Sequence, residues 1–248
     1  MRIAPLLVAL ALGLSACGPS TTEPAEPPVP PEYQAIEVPG PDGNPITIPA
    51  VNPNYLVERN RRQRVAYNGP EKAGTIVVDP YARFLYHVLD NGEAMRFGIA
   101  VGKAGLGFTG NGTVQRKESW PSWTPTQNMI RREPALYGPV SGGLKGGLDN
   151  PLGARALYLY RGGKDTMYRI HGTMEPSSIG KATSAGCIRL FNQDILDLYD
   201  EAPMGTPVRV RSREESRRYE GSLVETPDGY VLPPELVAEG VAFIQPQG

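Results

Sequence analysis

The sequence has little of what metal sites and disulfide scaffolds are built from: 248 residues hold two cysteines and two histidines. Two cysteines exclude a disulfide framework, and two histidines leave little for a His-rich metal site. Neither sign of charge is in excess. The 25 Lys+Arg face 26 Asp+Glu, for a formal net charge of −1, which argues against a surface that tracks nucleic-acid phosphates. No apolar run reaches the roughly 20 residues that span a bilayer as a helix. Turn chemistry, by contrast, is abundant: Gly 29 and Pro 26 together exceed a fifth of the chain, where about 12% is ordinary. A hydrophobic content of 40% is ample for one folded core. These proportions describe one loop-rich domain with appendages.

The first appendage opens with Met1-Arg2 and a short apolar stretch from Ile3 to Leu12. It is too short to span a membrane but suits the apolar part of an export signal. It runs into Leu14-Ser15-Ala16-Cys17, which resembles the bacterial lipoprotein lipobox. The resemblance implies removal of residues 1–16, lipid on Cys17 and export to the periplasm. Gly18, where an Asp would retain the protein at the inner membrane, implies an outer-membrane anchor. Residues 17–53 are dense in proline, which blocks both helix and ladder, so the expectation is a stiff extended tether. Residues 54–72 include Arg59, Arg61, Arg62 and Arg64 and are expected as a solvated basic helix leading into the domain.

From Gly74 the pattern becomes short apolar strands broken by turn residues. Strands are expected at Thr75 to Asp79, Phe84 to Leu89, Met95 to Val101, Thr113 to Lys117, Ala156 to Arg161, Met167 to His171 and Thr206 to Val210. Asn91-Gly92 is a hairpin signal between the second and third. Helix is expected near Gln127 to Leu136, and from a cap at Asn192 to Ala202. The fold class is therefore mainly β, a sandwich or open barrel with one or two short helices. His87 lies within an apolar strand and reads as a strand-surface or packed residue. Residues 212–248 read as a charged stretch to Glu220, then a hairpin about Pro227-Asp228-Gly229, with no function assigned.

The chemistry concentrates between Arg169 and Leu190. A lone cysteine is ordinarily a small buried hydrophobe, but Cys187 follows Gly186 in Ser184-Ala185-Gly186-Cys187-Ile188-Arg189-Leu190, with His171 sixteen residues upstream. Glycine permits a sharp turn that exposes the sulfur, and the amides of Gly186 and Cys187 then face a developing oxyanion. An imidazole at contact distance gives the thiolate–imidazolium pair that attacks carbonyls. If Cys187 to Arg189 is extended, the sulfur and the guanidinium share one face. Two partners stand open for Arg189: a substrate carboxylate, or a local acid such as Asp194.

His171-Gly172-Thr173, Ser178-Ile179-Gly180 and Ser184 to Leu190 together resemble the signature of the L,D-transpeptidase (YkuD/ErfK-type) catalytic domain. Pro121 to Thr126, Asn150 to Gly153, Arg155 to Tyr158 and Gly205 to Val210 add to the resemblance, which spans residues 73–211. It implies a β-sandwich catalytic module acting on peptidoglycan stem peptides. In that chemistry Cys187 is the nucleophile that expels D-alanine from a tetrapeptide stem. His171 is the general base and acid, oriented through the backbone of Gly172, while Ser184, Gly186 and Arg189 line the oxyanion and substrate site. The acceptor is an amine of another stem or of an envelope protein, and neither cofactor nor metal is implied. One departure stands out: Ala185 occupies a position where many members have His. Transfer to an amine and hydrolysis by water are not separated at this level, and a silent wall-binding lipoprotein is the third alternative.

Overall fold

The computed structural model describes residues 28–102, 107–183 and 187–239. Ile36–Pro39 (β1) and Pro45–Ile48 (β2) form a separate antiparallel hairpin. Gln63–Ala66 (β3), Ile76–Asp79 (β4), Phe84–Val88 (β5), Glu93–Gly98 (β6), Ala100–Gly102 (β7) and the long Gly110–Ser119 (β8) follow. Two short helices, Gln127–Arg132 (α1) and Pro134–Tyr137 (α2), precede Arg155–Arg161 (β9) and Lys164–His171 (β10). Next come Ala182–Thr183 (β11), Ile188–Arg189 (β12), the helix Asn192–Glu201 (α3) and Pro207–Val210 (β13). Arg213–Glu220 (α4), the hairpin of Val224–Glu225 (β14) with Val231–Leu232 (β15), and Pro234–Ala238 (α5) end the described chain.

Among the described residues eleven strands form one sheet, in the order β11-β7-β12-β10-β9-β8-β13-β4-β5-β6-β3. Only Ile99 separates β6 from β7, yet each lies second from an opposite end of that order. A sheet whose ends are joined by one residue has to roll until they meet, so the strands wrap a shared interior. Ile76, Leu85, Phe97, Val101, Leu157, Ile170 and Ile188 fill it, with Ile195 and Leu198 of α3 packed among them. The mainly β, rolled architecture expected from the strand pattern is what forms. At the β5–β6 turn Asn91 and Gly92 sit at φ 63° and 73°, the left-handed region those two residue types tolerate. Leu89 N donates to Glu93 O at 2.8 Å, which leaves a three-residue loop, one longer than the Asn-Gly signal implied.

The flanks differ from expectation. From Val29 onward the proline-rich segment is no free spacer: Tyr33, Val51 and Leu56 are buried with Ile179 and Phe191, and Ile48 packs with Trp120 and Leu196. Proline forbids a helix interior or central strand, but it permits a surface hairpin, and the apolar residues between the prolines carry the docking. Trp120 Nε1 donates to Pro39 O at 2.7 Å and Gln193 Nε2 to Pro49 O at 2.9 Å.

The basic lead-in is two single 3₁₀ turns followed by β3, which pairs with β6, rather than a helix. Three of its four named arginines have partners within the fold. Arg62 pairs with Asp197 and Asp194, Arg64 with Glu93, and Arg59 donates to the carbonyls of Val231 and Ala82. The described residues hold five α-helical segments where one or two were expected. The clearest addition is α4. Ser212 accepts from Glu215 N at 3.2 Å while the Glu215 carboxylate accepts from Ser212 N at 2.7 Å, a capping box whose Ser-x-x-Glu spacing stands in the sequence.

Candidate active site

Strands β10 and β12 run parallel, with Ile170 opposite Ile188 and His171 opposite Arg189. Side chains alternate along each strand and share a face across paired positions. Ile170 and Ile188 are buried in the core, so His171 and Arg189 occupy the opposite face. Cys187 immediately precedes β12, two residues from Arg189, and belongs to that second face. It is half-buried with a free thiol. Its carbonyl accepts from Gly102 N at 3.2 Å, and its Sγ donates a long hydrogen bond to Met167 O at 3.6 Å.

His171 is 2% exposed. Its Nδ1 lies 2.7 Å from the Gly172 carbonyl oxygen, which only accepts; Nδ1 therefore carries the proton and Nε2 keeps its lone pair. Burial, then the charges of Arg189 and Arg169, push the imidazole down to about 3, with the bond to Gly172 opposing. Burial also pushes the Cys187 thiol up, with Arg169 and Arg189 opposing. Both shifts favour the neutral thiol and neutral imidazole over the thiolate–imidazolium pair expected from sequence. Desolvation penalises both charged forms, and two arginines already supply the positive charge that an imidazolium would add. Arg169 is itself fixed by two hydrogen bonds of 2.8 Å to Asp165 and lies 4.3 Å from the centroid of the Tyr158 ring.

Arg189 Nη1 lies 2.8 Å from Glu175 Oε2, with side chains 12% and 61% exposed. The local acid is thus Glu175 and not Asp194. Asp194 is 0% exposed, on the first turn of α3, where Tyr33 Oη donates to it at 3.4 Å and Arg62 stands at 3.6 Å. Burial pushes its carboxyl up to about 8, against the pull of Arg62.

A cavity of about 370 Å³ opens beside these residues. His171, Thr173 and Arg189 line one side, and Trp123, Met129, Tyr137 and Leu152 line the others. The two tryptophans differ: Trp123 lines the cavity, while Trp120 is buried against the β1–β2 hairpin. The glycine-rich stretch of residues 141–153 borders the site through Leu144, Asp149 and Leu152. Asn150 holds that stretch, donating Nδ2 to the carbonyls of Pro121 and Lys145, each at 3.0 Å.

Asn192, expected as a helix cap, has a different task. Phe191 occupies the cap position. The Asn192 side chain accepts from Ala154 N at 3.0 Å and donates to Thr173 O at 2.9 Å, stitching the end of the His171 strand to the start of β9. A Cβ built on Gly172 would stand 2.1 Å from Asn192 Oδ1, so glycine is required there by close approach. Nothing in the sequence separates this asparagine from a cap, because both uses place Asn at a helix start. Ser184, Gly186 and Cys17 lie outside the described residues. His87 packs on β5 with Nδ1 2.9 Å from Glu201 Oε2. Among the described residues no group of three His, Cys, Asp or Glu is placed to hold a metal ion.

The model of the L,D-transpeptidase catalytic domain family, YkuD, matches residues 73–210. The chain belongs to this family. It is 39% identical over 142 residues to the probable L,D-transpeptidase ErfK/SrfK of Escherichia coli K12, a match covering 56% of this chain and 44% of that protein. It is 33% identical over 155 residues to the probable L,D-transpeptidase YbiS of the same organism, covering 59% and 49%. The chain thus spans about half the length of these L,D-transpeptidase relatives. A crystal structure from Brucella melitensis, described as a probable carnitine operon oxidoreductase, is 50% identical, covers 62% of this chain and 96% of its own, and superposes with a TM-score of 0.44.

Proposed function

We propose that the chain is a peptidoglycan L,D-transpeptidase in which Cys187 is the nucleophile and His171 the general base and acid. The observation that carries this reading is the pairing of His171 with Arg189 on the wall of a cavity within the family-matched domain, with Cys187 two residues before Arg189, immediately ahead of the same strand. Sγ attacks the carbonyl carbon of the amide that joins the stem's diamino acid to its terminal D-alanine. The thiol proton passes to His171 Nε2 as the C–S bond forms, since desolvation disfavours both charged forms. The same proton then goes to the departing nitrogen; D-alanine leaves, and a thioester remains on Cys187. An acceptor amine attacks the thioester, gives its proton to His171 and restores the thiol. The tautomer set by Gly172 keeps Nε2 available throughout. Arg189 holds the substrate's terminal carboxylate with its planar fork, sharing it with the exposed Glu175. Gly186 and Ser184 complete the oxyanion and substrate contacts.

The acceptor is an amine of a second stem or of an envelope protein. Residues 1–16 act as an export signal, and Cys17 carries the lipid that holds the domain at the outer membrane from the periplasmic side. The support is the apolar stretch followed by Leu14-Ser15-Ala16-Cys17.

Mass spectrometry of tetrapeptide muropeptides incubated with the enzyme tests the reaction. The expected products are free D-alanine and a stem-to-amine dimer, with a thioester adduct on Cys187. D-alanine with tripeptide alone assigns a carboxypeptidase, and no adduct with no product refutes both. An intact mass showing an unmodified N-terminus beyond residue 17 rejects the lipid anchor.

A further inference from the structure

The segments on either side of the family match converge on one turn, the one that leads to Cys187. From the N-terminal side, buried Asn60 donates Nδ2 to Ile179 O at 3.1 Å and to Tyr55 O at 3.0 Å. From the C-terminal side, the ring of buried Tyr230 lies over Gly180. A Cβ built on Gly180, whose φ is +86°, would stand 2.7 Å from Tyr230 Cε1 and 2.4 Å from Asn60 Oδ1. Lys181 Nζ sits 4.9 Å from the Tyr230 ring centroid. Gly229 O accepts from Ala182 N at 3.2 Å. Arg59 ties the two flanks together by donating to Val231 O, and its other terminal nitrogen donates to Ala82 O at 2.8 Å.

This convergence matters because of how the nucleophile's segment is supported. Strand β11 is the outermost of the sheet, and its inner side pairs with β7 at Ala182↔Val101 and Thr183↔Gly102. Strand β12 pairs with β7 from the other side at Ile188↔Val101. Both arms of the segment that carries Cys187 thus meet on three residues, Ala100–Gly102, and of the two strands only β12 has a second neighbour, β10. A two-residue edge strand has few bonds of its own, and its outward amide exchanges with water unless something covers it. The Gly229 carbonyl is that cover, and the Tyr230 ring holds the turn behind it.

We infer that the β14–β15 hairpin is a clamp on the Cys187 segment and that Tyr230 is a positioning residue for acyl transfer. The inference rests on Cys187 being the nucleophile. A nucleophile displaced by about 1 Å loses up to about a hundredfold in rate without losing its chemistry. The clamp is therefore expected to act on the limiting rate rather than on binding.

The test uses the full chain, a carbapenem as acylating probe, and intact-mass kinetics over a range of probe concentration. Tyr230→Ala should lower the limiting acylation rate about tenfold or more, with little change in the half-saturating concentration. Hydrogen exchange at the Ala182 amide should accelerate in Tyr230→Ala while exchange in β4 stays unchanged. If Tyr230→Ala does not fold, Tyr230→Leu is read by the same two measurements. A wild-type limiting rate in the folded variant, or a rate loss without faster exchange at Ala182, overturns the clamp. Failure of the wild-type chain to acylate, or acylation of Cys187→Ala, overturns the proposed nucleophile instead; exchange at Ala182 then still decides whether the hairpin holds the segment.

Discussion

Two buried titratable groups flank the start of α3, and burial shifts both toward the neutral form, in opposite senses. His171 is pushed down to about 3 and Asp194 up to about 8. By perturbation alone they are equally good candidates for a working site. They differ in what lies beside them. His171 borders a cavity of about 370 Å³, with Arg189 on the same wall, and its Nδ1 is committed to a neutral carbonyl so that Nε2 is left to exchange a proton. Asp194 is sealed under the docked N-terminal segment, between Tyr33 and Arg62. A shifted acid–base group becomes a site only where substrate can reach it.

The largest effect that would break this contrast is at the sulfur. Cys187→Ala should abolish turnover and carbapenem labelling, and labelling retained in that variant would remove the site from this corner altogether. Next is the base: His171→Gln should cost about a hundred- to ten-thousandfold in acylation rate. Asp194→Asn should leave that rate within about twofold by the same assay, and an equal loss in both variants would erase the distinction between them.

Arg189→Lys sharpens the cavity side. If the fork holds a carboxylate, the variant keeps its melting temperature but loses activity on the tetrapeptide, because a point charge does not replace two parallel hydrogen bonds. If Arg189 only braces Glu175, melting temperature and Cys187 labelling fall together. Full activity with normal stability in Arg189→Ala would refute both roles.

The pH dependence of stability separates the two groups by sign. Asp194 is raised in the folded state, so its contribution is complete below about pH 4 and is lost as pH rises through about 8. His171 is lowered from 6.5, so it favours the fold above that value and penalises it as pH falls toward about 3. Melting curves from pH 3 to 9 should therefore show Asp194→Asn removing a fall of stability with rising pH, and His171→Gln removing a rise. Slopes unchanged in both variants would show that neither group is desolvated as described. The smallest effect is expected at His87, whose Nδ1 faces the exposed Glu201. Glu201→Gln should change stability by less than about 1 kcal/mol and leave acylation unaltered; a loss of acylation would extend the site across the sheet.

The core strands were legible because their alternation and turn residues are local signals. Ile76–Asp79, Phe84–Val88 and Arg155–Arg161 fall within a residue or so of where the pattern puts them. The flanks were not legible. Tyr33, Ile48 and Val51 are isolated apolar residues among prolines, and nothing local distinguishes a docked hairpin from a spacer. Helix α4 is signalled only by the Ser212 and Glu215 cap, because Arg213 to Glu220 carries almost no apolar stripe. At the site, the placing of Cys187 and Arg189 on one face follows from spacing alone. The partner of Arg189 does not, since Glu175 and Asp194 are both near in sequence and only the burial of Asp194 under Tyr33 decides between them.

The sequence by itself determined which atoms are on hand: one thiol in the domain, one imidazole sixteen residues before it, and the glycines that let the chain approach itself closely. Tertiary structure decided the charge those atoms carry, the partner each arginine takes, and the joining of both flanks at the turn before Cys187. The physical reason is that residue type and spacing are local properties of a chain. Desolvation and edge coverage depend on segments such as Tyr33 and Tyr230, far apart along the chain and brought in only when the sheet rolls closed.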